Sequence, residues 1–239
     1  ISACLVGSEM CIRDRPYGFR IKQSWTRIDA NLVAAFRALP AANVSDSMQR
    51  LAAAGPALQP MHGDEVLCGP ALTVRCRPGD NLMIHKAIDM AEPGDVIVVD
   101  AGGDMTNSLM GELMLVHAIQ RGIAGFVLNG AIRDSAAIAE RGLPVFACGV
   151  THRGPYRTGP GEIGFPVALD GMPIAPGDLI LGDADGVVCV PQADAATVLA
   201  AAQKKQAAED RQMRDTLAGT LDRSWVDKAL EAAGCEMIA

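Results

Sequence analysis

The sequence predicts a mixed α/β fold organised around parallel strands, and two observations carry that expectation. Between residues 111 and 148, helical stretches alternate with short apolar runs: GELMLVHAIQRG, AGFVLNG, DSAAIAERG and LPVFACG. Strands alternating with helices of this length pair in parallel through right-handed crossovers. The second observation is the turn Pro-Gly-Asp, which recurs at 78–80, 93–95 and 176–178, the last two leading into VIVVD and LILGD. Proline presets one turn dihedral, glycine supplies a positive φ, and aspartate can bond the next backbone amide, so similar strands begin from equivalent turns. This is recurrent turn chemistry and not a solenoid repeat.

The elements follow in order. Residues 1–15, ISACLVGSEMCIRDR, place their charges after a short apolar run and carry no signal-peptide cleavage pattern. They read as a non-native-looking segment, and residues 1–25 are expected to form a leader outside the fold. TRIDANLVAAFRALP sets Ile28, Leu32, Val33, Phe36 and Leu39 on one helical stripe that stops at Pro40. NVSDSMQRLAAAG reads as a second helix, with Asn43 or Ser45 as N-cap and Gly55 as its stop. VLCGPALTVRC reads as a strand broken at Gly69-Pro70. The helix NLMIHKAIDMA, the strand VIVVD and a flexible loop GGDMTNSLMG come next. Gly- and Pro-rich residues 151–169 suggest hairpins and long loops, and GVVCVP closes the sheet. From Gln192 the chain is Ala-rich, charged and helical, as expected of a tail that packs on a neighbouring subunit. The expected division is therefore a leader (1–25), an α/β domain (26–191) and a helical C-terminal extension (192–239).

Composition narrows the function. At 239 residues, 49% of them hydrophobic, the chain can bury one sizeable core, but only 4% are aromatic, so aliphatic side chains must fill it. A net charge of −7 argues against nucleic-acid binding, which needs clustered Lys and Arg. No run approaches the roughly 20 apolar residues of a membrane helix, so no membrane partner is expected. Cysteines stand at 4, 11, 68, 76, 148, 189 and 235, with no CxxC pair. They read as dispersed, buried, reduced thiols, which points to the cytoplasm and away from structural zinc.

Chemistry concentrates between Gly111 and Asp134. Glu112 opens a helix; twenty residues later the loop NGAIRD presents Arg133 and Asp134 at the next helix start. One helix and one returning strand bring both loops to the same sheet edge. First-turn amides of Leu113 and Met114 can hold a small carboxylate. Arg133 can hold a keto or enolate oxygen. Asp134, with Glu112 acting through water, can bind Mg²⁺ or Mn²⁺, which accept few protein ligands. A plainer reading fits the same spacing: Glu112 as a first-turn dipole partner, Asp134 as a helix cap, and Arg133 paired with either carboxylate.

These residues and several longer phrases resemble one family. GEL…RGIAGFVLNGAIRD, RPGDNLMIHKAIDMAEPGDVIVVD, RGLPVF and PGDLILGDADGVVCVP are similar to segments of the family containing the 4-hydroxy-4-methyl-2-oxoglutarate / 4-carboxy-4-hydroxy-2-oxoadipate aldolases and the regulator of ribonuclease activity A. The similarity spans about residues 28–235. The resemblance implies an αββα sandwich of the swivelling β/β/α type, with helical N- and C-terminal extensions. It implies a divalent-metal (class II) pyruvate aldolase that also decarboxylates oxaloacetate. In that scheme Gly111 and the amides of Leu113 and Met114 hold the pyruvyl carboxylate. Asp134 binds the metal, Glu112 assists through water, and Arg133 stabilises the enolate. The resemblance further implies a homotrimer or hexamer acting on small 2-oxo acids, with Glu209 as candidate for an acid offered by a neighbouring subunit. Glu112 departs from the Asp of characterised aldolases, and Met114 from a Leu.

Two function classes remain. A non-catalytic regulator that binds a ribonuclease fits the same motif, but the regulators resemble a chain stopping soon after the last strand, whereas the aldolases carry a helical tail. A Schiff-base route would need a desolvated lysine, and Lys86 sits on the exposed-looking side of its helix. His85, in the segment similar to the family, reads as structural or supporting. His62, His117 and His152 carry no separate signal, and the Gly-rich stretch 102–111 lacks the GK[ST] of a phosphate cradle.

Overall fold

The structure is a computed structural model that describes residues 17–236 and residue 238. Residues 1–16, and with them Cys4, Cys11 and the peculiar leader, lie outside the described residues. Eleven strands and seven helices are described. In chain order they are β1 (Phe19–Ile21), α1 (Ala30–Phe36), α2 (Ala41–Ser47), β2 (Gln59–Pro60), β3 (Leu67–Cys76), α3 (Leu82–Met90), β4 (Val96–Met110) and α4 (Glu112–Gln120). Then come β5 (Gly125–Ile132), α5 (Ser135–Glu140), β6 (Val145–Val150), β7 (Gly161–Ile163), β8 (Val167–Leu169), β9 (Met172–Ile174), β10 (Leu179–Asp183) and β11 (Gly186–Val190). The last two are α6 (Ala195–Leu217) and α7 (Ser224–Ala232).

Strands β3, β4, β5 and β6 run parallel, as the helix–strand alternation predicts. Period-two alternation then sorts their side chains between two cores. Ile97, Val99, Phe126, Leu128, Val145 and Ala147 face helices α3, α4 and α5. Val96, Val98, Val127 and Phe146 face the opposite way, onto Ile180, Val187 and Cys189 of the β10–β11 hairpin. The far side of that hairpin, through Leu179, Leu181, Val188 and Val190, packs on α1, α2 and α6 through Phe36, Val44 and Val198. Helices, sheet, sheet and helices thus stack in four layers, the αββα sandwich expected. Strands buried on both faces explain the near-continuous apolar runs of the sequence.

In two of the Pro-Gly-Asp turns the aspartate reaches backward instead of to the next amide. Asp95 Oδ2 accepts from the Glu92 amide at 2.9 Å, and Asp178 Oδ2 accepts from the Ala175 amide at 2.8 Å, so both buried carboxylates close the same three-residue loop. Gly94 and Gly177 supply φ of 91° and 88°.

Several expectations are corrected. Part of the stretch expected outside the fold joins the sheet: β1 pairs with β7, and Arg20 Nε holds the buried Glu162 at 2.6 Å. Helix α2 starts behind Pro40, not at Asn43 or Ser45, and ends at Ser47, because Gln49 and Arg50 adopt positive φ well before Gly55. Strand β3 is not broken at Gly69-Pro70. It changes partner there, from β10 up to Pro70 to β4 from Ala71 on. The supposed loop 102–111 is mostly strand: β4 runs to Met110 through register shifts that follow the positive φ of Gly102 and Gly103. Cys68, Cys76 and Cys189 are buried as expected, but Cys148 is half-buried and Cys235 exposed. Among the described residues no helix is long and apolar enough to cross a membrane.

Candidate active site

Strand register assembles the site. Met110 pairs with Ile132, and the Arg133 amide donates to the Met110 carbonyl at 2.9 Å. β4 therefore ends beside β5, with Gly111 and Glu112 leading into α4 and Arg133 and Asp134 leading into α5. These are the carboxyl ends of parallel strands, where α/β sheets form ligand crevices.

Asp134 has a left-handed backbone (φ 56°), a conformation aspartate tolerates better than most residues. Its side chain turns from its own helix to the neighbouring one: Oδ2 accepts from the Glu112 amide at 3.0 Å and caps the start of α4. Gly111 makes that contact possible. A Cβ at 111 would stand 2.5 Å from Asp134 Oδ2 and 3.0 Å from Arg133 Nε. Arg133 Nε lies 3.7 Å from Asp134 Oδ2, and the terminal nitrogens of its fork have no acceptor among the described residues. Glu112 is turned outward to Arg141, whose Nε donates to Oε1 at 3.0 Å. In the first turn of α4, the Met114 amide already bonds the Gly111 carbonyl at 3.1 Å. The Leu113 amide has no acceptor among the described residues, and the Leu113 side chain is 85% exposed.

A cleft of about 360 Å³ opens against this edge. Gly111, Leu113, Met114 and Arg133 line one side; Asn81, His85 and Arg157 line another. Asn81 is buried and spends its amide group on the Leu109 carbonyl (3.0 Å), which leaves Oδ1 without a partner. His85 Nε2 is likewise buried and unpartnered. Burial, with the nearby Arg157 charge adding to it and Asp89 opposing, holds the His85 imidazole below its usual pKa, so it is neutral at pH 7. Unmet buried polar atoms are costly, and two of them in one cleft mark a place where a ligand or water completes the hydrogen bonding.

The structure thus brings together Gly111, Glu112, Leu113, Met114, Arg133 and Asp134. It does not bring Glu209 to them within one chain: Glu209 lies on α6, bonded to Lys205 at 2.9 Å. Lys86 is exposed on α3. Sequence reasoning passed over Asn81, Asp89 and Arg157. The available signal for Arg157 was the concentration of arginines, at 153 and 157, in the Gly- and Pro-rich residues 151–160, which hold no Asp or Glu.

Comparison with known proteins gives the family of the chain. The family model described as RraA-like, Aldolase/RraA, matches residues 41–189, which contain the whole edge and cleft. A protein of Halalkalibacterium halodurans named "Putative 4-hydroxy-4-methyl-2-oxoglutarate aldolase" is 41% identical over 189 residues, 79% of this chain and 90% of that one. The crystal structure of an uncharacterized protein from Pseudomonas syringae pv. tomato superposes with a TM-score of 0.75 at 27% identity, covering 82% of this chain and 97% of the other. The RNA-processing inhibitor RraA from Thermus thermophilis superposes with a TM-score of 0.59 at 28% identity, over 64% of this chain and 92% of that one.

Proposed function

The chain belongs to the Aldolase/RraA family, and we propose that it is a divalent-metal-dependent (class II) pyruvate aldolase. Its substrates are 4-hydroxy-2-oxo diacids such as 4-hydroxy-4-methyl-2-oxoglutarate, with oxaloacetate decarboxylated through the same enolate. The single observation that carries the reading is an arginine fork without an internal acceptor, beside a free first-turn amide in one cleft.

Aldol cleavage breaks the C3–C4 bond and moves its electron pair into the enolate of pyruvate, while the C4 hydroxyl gives up its proton. The Leu113 amide, at the positive end of α4, receives the substrate C1 carboxylate. The Arg133 fork faces the C2 oxygen and stabilises the negative charge that develops there. Asp134 steadies this arrangement from behind, by fixing the start of α4. Loss of CO₂ from oxaloacetate leaves the same anion on the same groups.

Asp134 is the carboxylate that would hold a hard cation, with Glu112, turned here toward Arg141, acting through water. Asp134 Oδ1 and Glu112 Oε2 accept no hydrogen bond among the described residues, and Mg²⁺ or Mn²⁺ typically takes one or two carboxylates and completes its shell with water. Among the described residues no three His, Cys, Asp or Glu side chains gather. When bound, the metal would supply Lewis-acid polarisation of the 2-oxo group.

The reading includes a homotrimer or a hexamer of two trimers. Met213, Leu217 and Trp225 on α6 and α7 are exposed, as expected of a surface that meets a second subunit and could offer Glu209 across the boundary. It includes a cytoplasmic enzyme with reduced thiols. The alternative, a non-catalytic regulator that binds a ribonuclease, draws on the likeness to the Thermus inhibitor. A lactate dehydrogenase-coupled assay separates them. Pyruvate should form from 4-hydroxy-4-methyl-2-oxoglutarate and from oxaloacetate when Mg²⁺ is present; a folded, Mg²⁺-supplied protein that releases none from either substrate would sink the aldolase reading.

A further inference from the structure

We propose that Arg157 is a specificity-determining residue of this cleft, placed to bind the distal carboxylate of a 2-oxo diacid while Arg133 and the α4 N-terminus hold its 2-oxo acid end. The proposal rests on the pyruvate-site reading above and adds the group that selects a diacid.

Three features support it. First, Arg157 lines the cleft with Arg133, yet its side chain has no hydrogen bond or ion pair among the described residues. An arginine fork offers five donors that match a carboxylate, and nothing in the described chain takes them.

Second, the backbone on both sides of Arg157 is firmly held although the residue itself is exposed. The Tyr156 amide donates to the Gly79 carbonyl at 2.8 Å, and the Tyr156 carbonyl accepts from the Asn81 amide at 3.0 Å. Asp80, 1% exposed, then gathers the other flank: its Oδ2 accepts from the Thr158 amide at 2.7 Å and the Gly159 amide at 2.9 Å. Its Oδ1 accepts from the Leu82 amide at 2.9 Å, at the start of α3. Those bonds hold the Asp80 carboxyl below its usual range although burial opposes them. A free guanidinium on an anchored backbone is a preorganised anion contact, because little ordering remains to be done when the ligand arrives.

Third, the two arginines of the cleft differ in what they already face. Arg133 lies 3.7 Å from Asp134 Oδ2, whereas Arg157 has no carboxylate within ion-pair distance among the described residues, and Asp89, the acid that lines the cleft, lies 3.5 Å from His117. A distal carboxylate on the ligand would give the Arg157 guanidinium its partner; a monocarboxylate leaves it unmatched.

The test compares binding of 2-oxoglutarate with that of 2-oxopentanoate, the same chain without the distal carboxylate, by calorimetry in Mg²⁺ buffer. Wild-type protein should bind 2-oxoglutarate at least about tenfold more tightly, the scale of one charge-assisted contact. Arg157→Gln should erase that preference and leave 2-oxopentanoate binding unchanged, and Arg157→Lys, which keeps the charge without the fork, should restore part of it. No preference in the wild type, or equal weakening of both ligands in Arg157→Gln, would overturn the proposal. Because 2-oxoglutarate is not cleaved, a protein that shows the expected pattern but releases no pyruvate would refute the aldolase reading and leave the Arg157 assignment standing.

Discussion

Replacing Gly111 with alanine perturbs the site with a single methyl group. Gly111 has φ −143°, which any residue adopts, so the backbone tolerates the change and only the added carbon acts. That carbon would stand 2.5 Å from Asp134 Oδ2, 3.0 Å from Arg133 Nε and 3.1 Å from Arg133 Cγ. Ordinary contact lies near 3.5 Å, so Asp134 must retreat by about 1 Å and carry Arg133 with it. Misplacement of that size costs on the order of 100-fold in rate, or about 2.7 kcal/mol of transition-state stabilisation. Stability should respond much less. Weakening the Asp134 cap on the half-exposed start of α4 costs about 1 kcal/mol, and the reduced freedom of the unfolded chain returns about half of that. Gly111→Ala should therefore lose about two orders of magnitude in kcat/KM for pyruvate release, with a melting temperature within about 3 °C of wild type. Gly154→Ala is the control: its Cβ would sit 3.6 Å from Arg133 Nη1, an ordinary contact, and activity should be retained. Undiminished activity in Gly111→Ala, or a loss matched by unfolding, would refute the assignment of function to this edge.

Three further outcomes follow from the structure. Arg27→Ala should strip the buried Asp95 of its two-pronged partner (2.8 Å on each oxygen) and destabilise the fold by about 3 kcal/mol, lowering the melting temperature by roughly 10 °C while activity per folded molecule persists. The depressed pKa of His85 means that its neutral form favours the fold: that contribution is present above the unfolded value near 6.5 and lost as pH falls through the folded one. Wild type should thus lose more thermal stability than His85→Gln between pH 7.5 and pH 5.5, and equal losses would contradict a strained protonated state. Burial raises the Cys68 thiol to about 11 and the Cys76 thiol to about 12, and pushes Cys189 higher still. Peptide mapping after brief native alkylation at pH 8 should find Cys235 modified well before these three; early labelling of Cys76 or Cys189 would show that the core opens.

Much of this architecture was legible because apolar periodicity and turn chemistry are local. The Phe126–Leu128 and Val145–Ala147 runs announce buried strands, and the Pro-Gly-Asp turns mark where β4 and β10 begin. What escaped depends on partners remote in sequence. No local signal says that β3 passes from β10 to β4 at Pro70, since its side chains are apolar on either side of the change. The extension of β4 is hidden by two glycines that read as a loop and act as an irregularity within a strand. The site shows the same division. Glu112, Arg133 and Asp134 stand at a spacing set by one helix and one strand. Arg157 reaches the cleft only because Asp80, 77 positions earlier in the chain, holds its loop. The turn of Glu112 toward Arg141 likewise depends on how α4 and α5 pack.

The central claim is that Arg133 stabilises a pyruvate enolate, and exchange of the pyruvate methyl protons in D₂O, followed by NMR, tests it without reference to any particular diacid. With Mg²⁺ present, wild-type protein should exchange those protons at a rate proportional to enzyme concentration, and folded Arg133→Ala should not exceed the buffer rate. An absence of exchange in the wild type, or equal exchange in the variant, would contradict the account.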